Sequence, residues 1–120
     1  MAVRAVRGAT QLQADDRDEM IDAVVELVTE ILTTNGLTSD DLISMVFTAT
    51  PDLTSEFPAF AARQLGMGDV PLMCASEIDV KGALPRVIRV MAHVETSLER
   101  SAVHHVYLRG AEVLRRDLAQ

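Results

Sequence analysis

A chain of 120 residues has the size of one ordinary domain, and its formal charge of −7 excludes the basic balance that a general nucleic-acid binder needs for phosphate contacts. Hydrophobic residues make up 48% and aromatics 3%, so the core must come from Val, Leu, Ile, Met and Ala, and no run reaches the ~18 apolar residues of a membrane span. The single cysteine excludes an intrachain disulfide and Met1-Ala2-Val3-Arg4 opens no leader-like apolar run, which together point to a soluble cytoplasmic protein, one domain over residues 1–120, with a reduced thiol.

Residues 3–12 begin in alternation, Val3, Ala5 and Arg7 on one side and Arg4 and Val6 on the other, which predicts a strand. Arg4 and Arg7 then point to opposite faces, so one of them needs an anionic partner if a face is buried. Asp15 or Asp16 can cap a long amphipathic helix whose apolar residues recur at helical spacing from Met20 to Leu32, stopped by Gly36. Ser39-Asp40-Asp41 reads as a very short helix. Residues 43–50 form a near-continuous apolar strand, which suggests burial on both faces. After the Pro51 turn, Phe57-Pro58 opens a second, shorter helix that Gly66 ends.

Further strands are expected at 70–74, 86–95 and 103–108, with a polar turn at 97–101 and a tail, 110–120, too charged for a core. Residues 72–90 would form one hairpin-sized unit that carries the chemistry: the only cysteine, an acid three residues later, a glycine-bearing turn and an arginine inside an apolar strand. The pattern predicts an α/β fold of α+β character, a mixed sheet of about five strands with one long and one shorter helix on one face. The uncovered face, rich in Val and Met, calls for a symmetric oligomer.

On the strand at 86–95, Val87, Arg89, Met91, His93 and Glu95 share a face, so the Arg89 guanidinium either meets a bound carboxylate or snorkels to the rim. Glu77 lies just past a strand end, as a functional loop acid or as a partner of Lys81. Cys74 has no base in its local sequence and reads more readily as a small buried hydrophobe than as a nucleophile. Tyr107 shares a strand face with His105. His93, His104 and His105 lack ligand spacing, so no metal site is expected. Gly66-Met67-Gly68 is too weak for a phosphate loop. Arg7, Arg89 and Arg115 with one acid and one tyrosine suit a small hydroxylated polycarboxylate, which arginine forks would grip without any nucleophile.

The motifs Arg7-Gly8-Ala9-Thr10, Ala49-Thr50-Pro51-Asp52-Leu53, Phe57-Pro58-Ala59, Cys74 with Glu77 and Asp79, Ile88-Arg89-Val90-Met91 and His105-Val106-Tyr107-Leu108 occur in one order along nearly the whole chain. Together they resemble the monofunctional chorismate mutases of the Bacillus type. The resemblance implies a homotrimer with a pseudo-barrel core and clefts between subunits, and the Claisen rearrangement of chorismate to prephenate on the route to phenylalanine and tyrosine. It implies no cofactor and no covalent intermediate, and neither a nucleic-acid nor a membrane partner. Position by position, it implies that Arg89 donates to the ether oxygen of the breaking bond and that Arg7 and Tyr107 hold a carboxylate. Glu77 would accept from the ring hydroxyl with Cys74 nearby. Met73, Ala75 and Ser76 would line the pocket, Phe57 and Leu114 would give apolar walls, and Arg63 and Arg115 would stand near the mouth.

The chain departs from the pattern where Phe60 replaces a basic residue, Met73 a smaller polar one and Arg116 a proline, and in a tail that stops early at Gln120. Two other readings share parts of the pattern. Deaminases of reactive enamines and imines have a similar trimeric architecture and an interfacial arginine, and a non-catalytic trimer could bind a carboxylate metabolite. The set Cys74, Glu77, Arg89 and Tyr107 matches the mutase pattern instead.

Overall fold

In the computed structural model, which describes residues 1–118 and leaves Gln120 outside the described residues, the alternating N-terminal stretch is strand β1 (Ala2–Gln11). Helix α1 (Arg17–Thr34) starts at Asp16, whose carboxylate accepts the Glu19 backbone N–H at 2.9 Å, while Glu19 reaches back to the Gln13 and Ala14 N–H groups. Asp15, the other candidate cap, instead accepts from the backbone and hydroxyl of Thr54 and the backbone of Ser55. Burial raises the Asp15 carboxyl, but the hydrogen bonds from Ser55 and Thr54 outweigh it and hold the group below its usual range. Gly36, at φ 65, follows the helix in the left-handed conformation expected of a stop.

A 3₁₀ turn, Ser39–Asp41, leads into β2 (Leu42–Ala49), followed by α2 (Pro58–Gln64), β3 (Leu72–Ser76) and β4 (Val87–Thr96). A second 3₁₀ turn, Arg100–Ala102, precedes β5 (Val106–Leu108) and α3 (Glu112–Leu118). The last strand is shorter than the sequence pattern suggests. The Asn35 side chain accepts the His104 N–H at 2.8 Å and donates to the His104 carbonyl at 3.0 Å, so the end of α1 holds this segment outside the ladder.

The sheet runs β3-β2-β4-β1-β5. It is mixed: β4 lies antiparallel to both β1 and β2, while β3 is parallel to β2 and β5 parallel to β1. Residues 72–90 are therefore not a hairpin. β3 returns through α2 to pair beside β2, and residues 77–86 carry the chain past the end of β2 to β4 on its other side.

Helices α1 and α2 cover one face. Met20, Val24, Leu27, Val28 and Ile31 of α1 pack with Val6, Met45, Phe47, Ile88, Val90, Ala92 and Val94 of the strands; burying each large apolar side chain is worth ~1.5–3 kcal/mol. A Cβ on Gly8 would lie 2.8 Å from Ile31 Cδ1, so α1 approaches the β1 backbone where no side chain fits. The other face is open over much of its area, and here two expectations fail. Only Met45 and Phe47 of β2 are fully buried, with Val46 and Thr48 half-buried, because a single chain supplies helices to one face only. The tail also contributes to a core: Ala111 is buried with Ala9 and Val87, and Leu114, Tyr107 and Leu84 pack around them. Its charges conceal a short helix, α3, whose Leu114 packs on that cluster. Arg116 falls on this helix, with its side chain outside the description.

Candidate active site

Strand register places several of the candidate residues. Tyr107 of β5 stands opposite Ala9, Ala9 opposite Arg89, Arg89 opposite Thr48 and Thr48 opposite Ala75. A neighbouring row holds Arg7, Met91, Val46 and Met73. Directly opposed residues share a face of the sheet. On the open face Arg7, Arg89 and Tyr107, with Val46, Thr48 and Met91, line a concavity of about 300 Å³.

Glu77 joins this group from the loop after β3. Its backbone N–H donates to the Ala49 carbonyl at 2.9 Å, which turns the carboxylate back over the sheet. There Glu77 Oε2 meets Arg89 Nε at 3.0 Å and accepts the Thr48 hydroxyl at 2.6 Å. The Glu77 side chain is 15% exposed and that of Arg89 49%, so the acid is the more deeply held partner. Arg89 is thus neither a bare rim arginine nor unpaired, and the partner of Glu77 is Arg89 in place of Lys81.

Arg7 differs from Arg4. Arg4 donates to the Leu98 carbonyl at 3.1 Å and approaches Glu99 at 3.8 Å on the helix side. Arg7, half-buried, has no ion-pairing carboxylate among the described residues. One guanidinium without an ion-pairing carboxylate among the described residues, beside a second that meets Glu77 through Nε, gives the concavity N–H donors suited to a carboxylate. The Arg7 backbone is fixed by its neighbour: its N–H donates to His105 Nδ1 at 2.9 Å, which places the ring proton on Nε2. Burial, then the Arg7 and His104 charges, hold His105 below its ordinary pKa. Tyr107 is half-buried against the small cluster around Ala9, alongside Leu114.

The remaining candidates lie elsewhere on the chain. Cys74 points to the helix-covered side, where its Sγ accepts the Ala59 N–H at 3.4 Å and its side chain packs on the main core. With Ala75, Ser76 and Phe57 it borders a separate recess of about 470 Å³. Phe57 is 67% exposed. Met73 is 64% exposed on the open face, Arg63 is exposed on α2 and Arg115 on α3. Phe60, where a basic residue is expected, carries the Arg17 guanidinium 5.0 Å above its ring, and Arg17 also pairs with Glu56 at 2.9 Å. One chain therefore sets Arg7, Arg89 and Tyr107 around one concavity, with Glu77 paired to Arg89 and Leu114 packed near Tyr107, while Phe57, Cys74 and Ser76 border the other recess.

Thr48, Val46 and Met91 were missed as lining residues. The signal was present for β2: Ser44, Val46 and Thr48 alternate with Met45 and Phe47, a half-buried pattern that the overall apolar character of the segment hides.

Comparison with known proteins supplies a family. A sequence model described as Chorismate mutase type I matches residues 3–118. Over 117 residues the chain is 49% identical to Chorismate mutase AroH of Thermus thermophilus, with 97% of this chain and 96% of that protein covered. It is 40% identical over 120 residues to Chorismate mutase AroH of Bacillus subtilis (strain 168), with 99% and 94% covered. Among solved structures it resembles the chorismate mutase from Clostridium thermocellum at a TM-score of 0.89 and 47% identity, covering 91% of this chain and 97% of that one.

Proposed function

The chain belongs to the type I chorismate mutases, and from that premise we propose that it rearranges chorismate to prephenate in the supply of phenylalanine and tyrosine, with the Arg89 concavity as half of its site. One observation carries the reading: two arginines, a tyrosine and a glutamate meet on the open sheet face, with Arg7 lacking a counter-ion among the described residues. In the rearrangement a C–O bond breaks as a C–C bond forms within one molecule. No group is transferred, so catalysis consists of holding the reacting ends together and stabilising charge. Negative charge develops on the ether oxygen. Arg89, whose Nε is engaged by Glu77, offers its remaining N–H groups to that oxygen and so binds the transition state better than the substrate. Arg7 and Tyr107 take a carboxylate, and Glu77 accepts from the ring hydroxyl through its second oxygen.

The second set, Phe57, Arg63, Met73, Cys74, Ala75 and Ser76, completes the pocket from a neighbouring copy in a homotrimer, with Arg115 at the mouth. Support comes from the separation of the two recesses and from Val3, Met73, Met91 and Ile78, large apolar side chains left exposed by one chain.

The test is to add purified protein to chorismate and follow the loss of its ultraviolet absorbance, with acid conversion of the product to phenylpyruvate identifying prephenate. Saturable prephenate formation is expected. Binding without turnover would favour a metabolite-binding trimer, and neither binding nor turnover would overturn the assignment.

A further inference from the structure

The carboxylate of Glu77 is held in an unequal way. Its Oε2 accepts the Thr48 hydroxyl and lies 3.0 Å from Arg89 Nε in an ion pair, and among the described residues no side chain donates to Oε1. An arginine and a carboxylate left to themselves favour two parallel N–H···O bonds, which engage both oxygens and two nitrogens. That arrangement would leave Glu77 without a free acceptor and tie up part of the Arg89 fork. Thr48 is fixed on the β2 backbone directly opposite Arg89, so its hydroxyl is delivered from one direction only. It draws Oε2 toward β2 and leaves Oε1 without a side-chain donor among the described residues.

We propose that Thr48 is a positioning residue of the active site, whose hydroxyl holds Glu77 to Arg89 through a single oxygen and thereby keeps Glu77 Oε1 and the Arg89 terminal N–H groups available to the substrate. This rests on the assignment of Arg89 and Glu77 to the chorismate site. Thr48 touches neither reacting bond; it acts through Glu77. Serine at this position preserves the donor, whereas valine keeps nearly the same shape and removes it.

The experiment is a double-mutant cycle of Thr48→Val and Glu77→Gln, with Thr48→Ser as the rescue, each assayed for kcat and KM with chorismate and melted to check folding. Thr48→Val should lower kcat/KM about tenfold, as expected for a hydrogen bond to a charged group, and Thr48→Ser should restore it to within about twofold. In the Glu77→Gln background Thr48→Val should change nothing further, because a neutral amide cannot form the two-point ion pair. A fully active Thr48→Val, or a tenfold loss that persists beside Glu77→Gln, overturns the proposal, the latter assigning the effect to β2 packing. If Thr48→Val fails to fold, Thr48→Ala carries the same cycle. Full activity of Arg89→Ala would instead remove the site assignment itself, whatever Thr48 does.

Discussion

Arg89 combines half exposure with a single firm partner, so its removal disturbs the site more than the sheet. Arg89→Ala should lower kcat at least ~10²-fold, as loss of one preorganised donor to a developing charge does, while the circular dichroism spectrum stays that of the parent. Arg89→Lys should not rescue it, since a point charge cannot reach Glu77 and the substrate together. His105 gives a prediction in pH. Its native pKa lies below the unfolded value of 6.5, through burial and then the Arg7 and His104 charges. The unfolded chain therefore binds the proton more readily. The contribution of His105 to stability is complete above about pH 6.5 and is lost as pH falls through the depressed native value. Urea titrations should show this step, and His105→Asn, which keeps an acceptor for the Arg7 N–H but does not titrate, should flatten it; an unchanged slope would assign the loss to other groups.

Between α1 and β1 the fit is close enough for one methyl group to matter. Gly8→Ala would set a Cβ 2.8 Å from Ile31 Cδ1 and 3.1 Å from Leu27 Cδ1 and Val90 Cγ1. Overpacking of this kind costs ~1–3 kcal/mol, which a lowered urea midpoint at unchanged slope would register. Elements of this sort were legible in the sequence. The period of α1, its acidic cap and Gly36 are all local signals, as are Pro58 and the alternation of β1. Strand order was not. Nothing within residues 72–90 says that β2 inserts between β3 and β4, because the partner of both strands lies earlier in the chain. The candidate residues were named through the motif pattern, yet Thr48 was not, since only the strand register sets it opposite Arg89. α3 escaped because Leu114, with Ala111 just before the helix, packs inward among the charges of Glu112 and Arg115.

At the scale of the assembly the division of the candidate residues is testable. If Arg89 of one copy works with Phe57 of another, two defective chains can repair each other. Arg89→Ala and Phe57→Asp should each be inactive alone, and their co-expression should regain part of the activity through interfaces that draw one intact half from each chain. No regain would mean that each chain closes its own pocket. Sedimentation should show a trimer, with Met73, Met91 and Val3 withdrawn from water in it.

The interior place of β1 in the sheet also constrains how the molecule is made. This first strand is flanked by β4 and β5, the last two to be synthesised, with Arg7 opposite Met91 and Gly8 opposite Val106. A ribosome delivers ~5–20 residues per second, so β1 waits several seconds with both edges unpaired and only α1 to shelter it. Arrested nascent chains should stay open to protease until the β4 sequence has emerged. Acquisition of protection is then timed by the far end of the message.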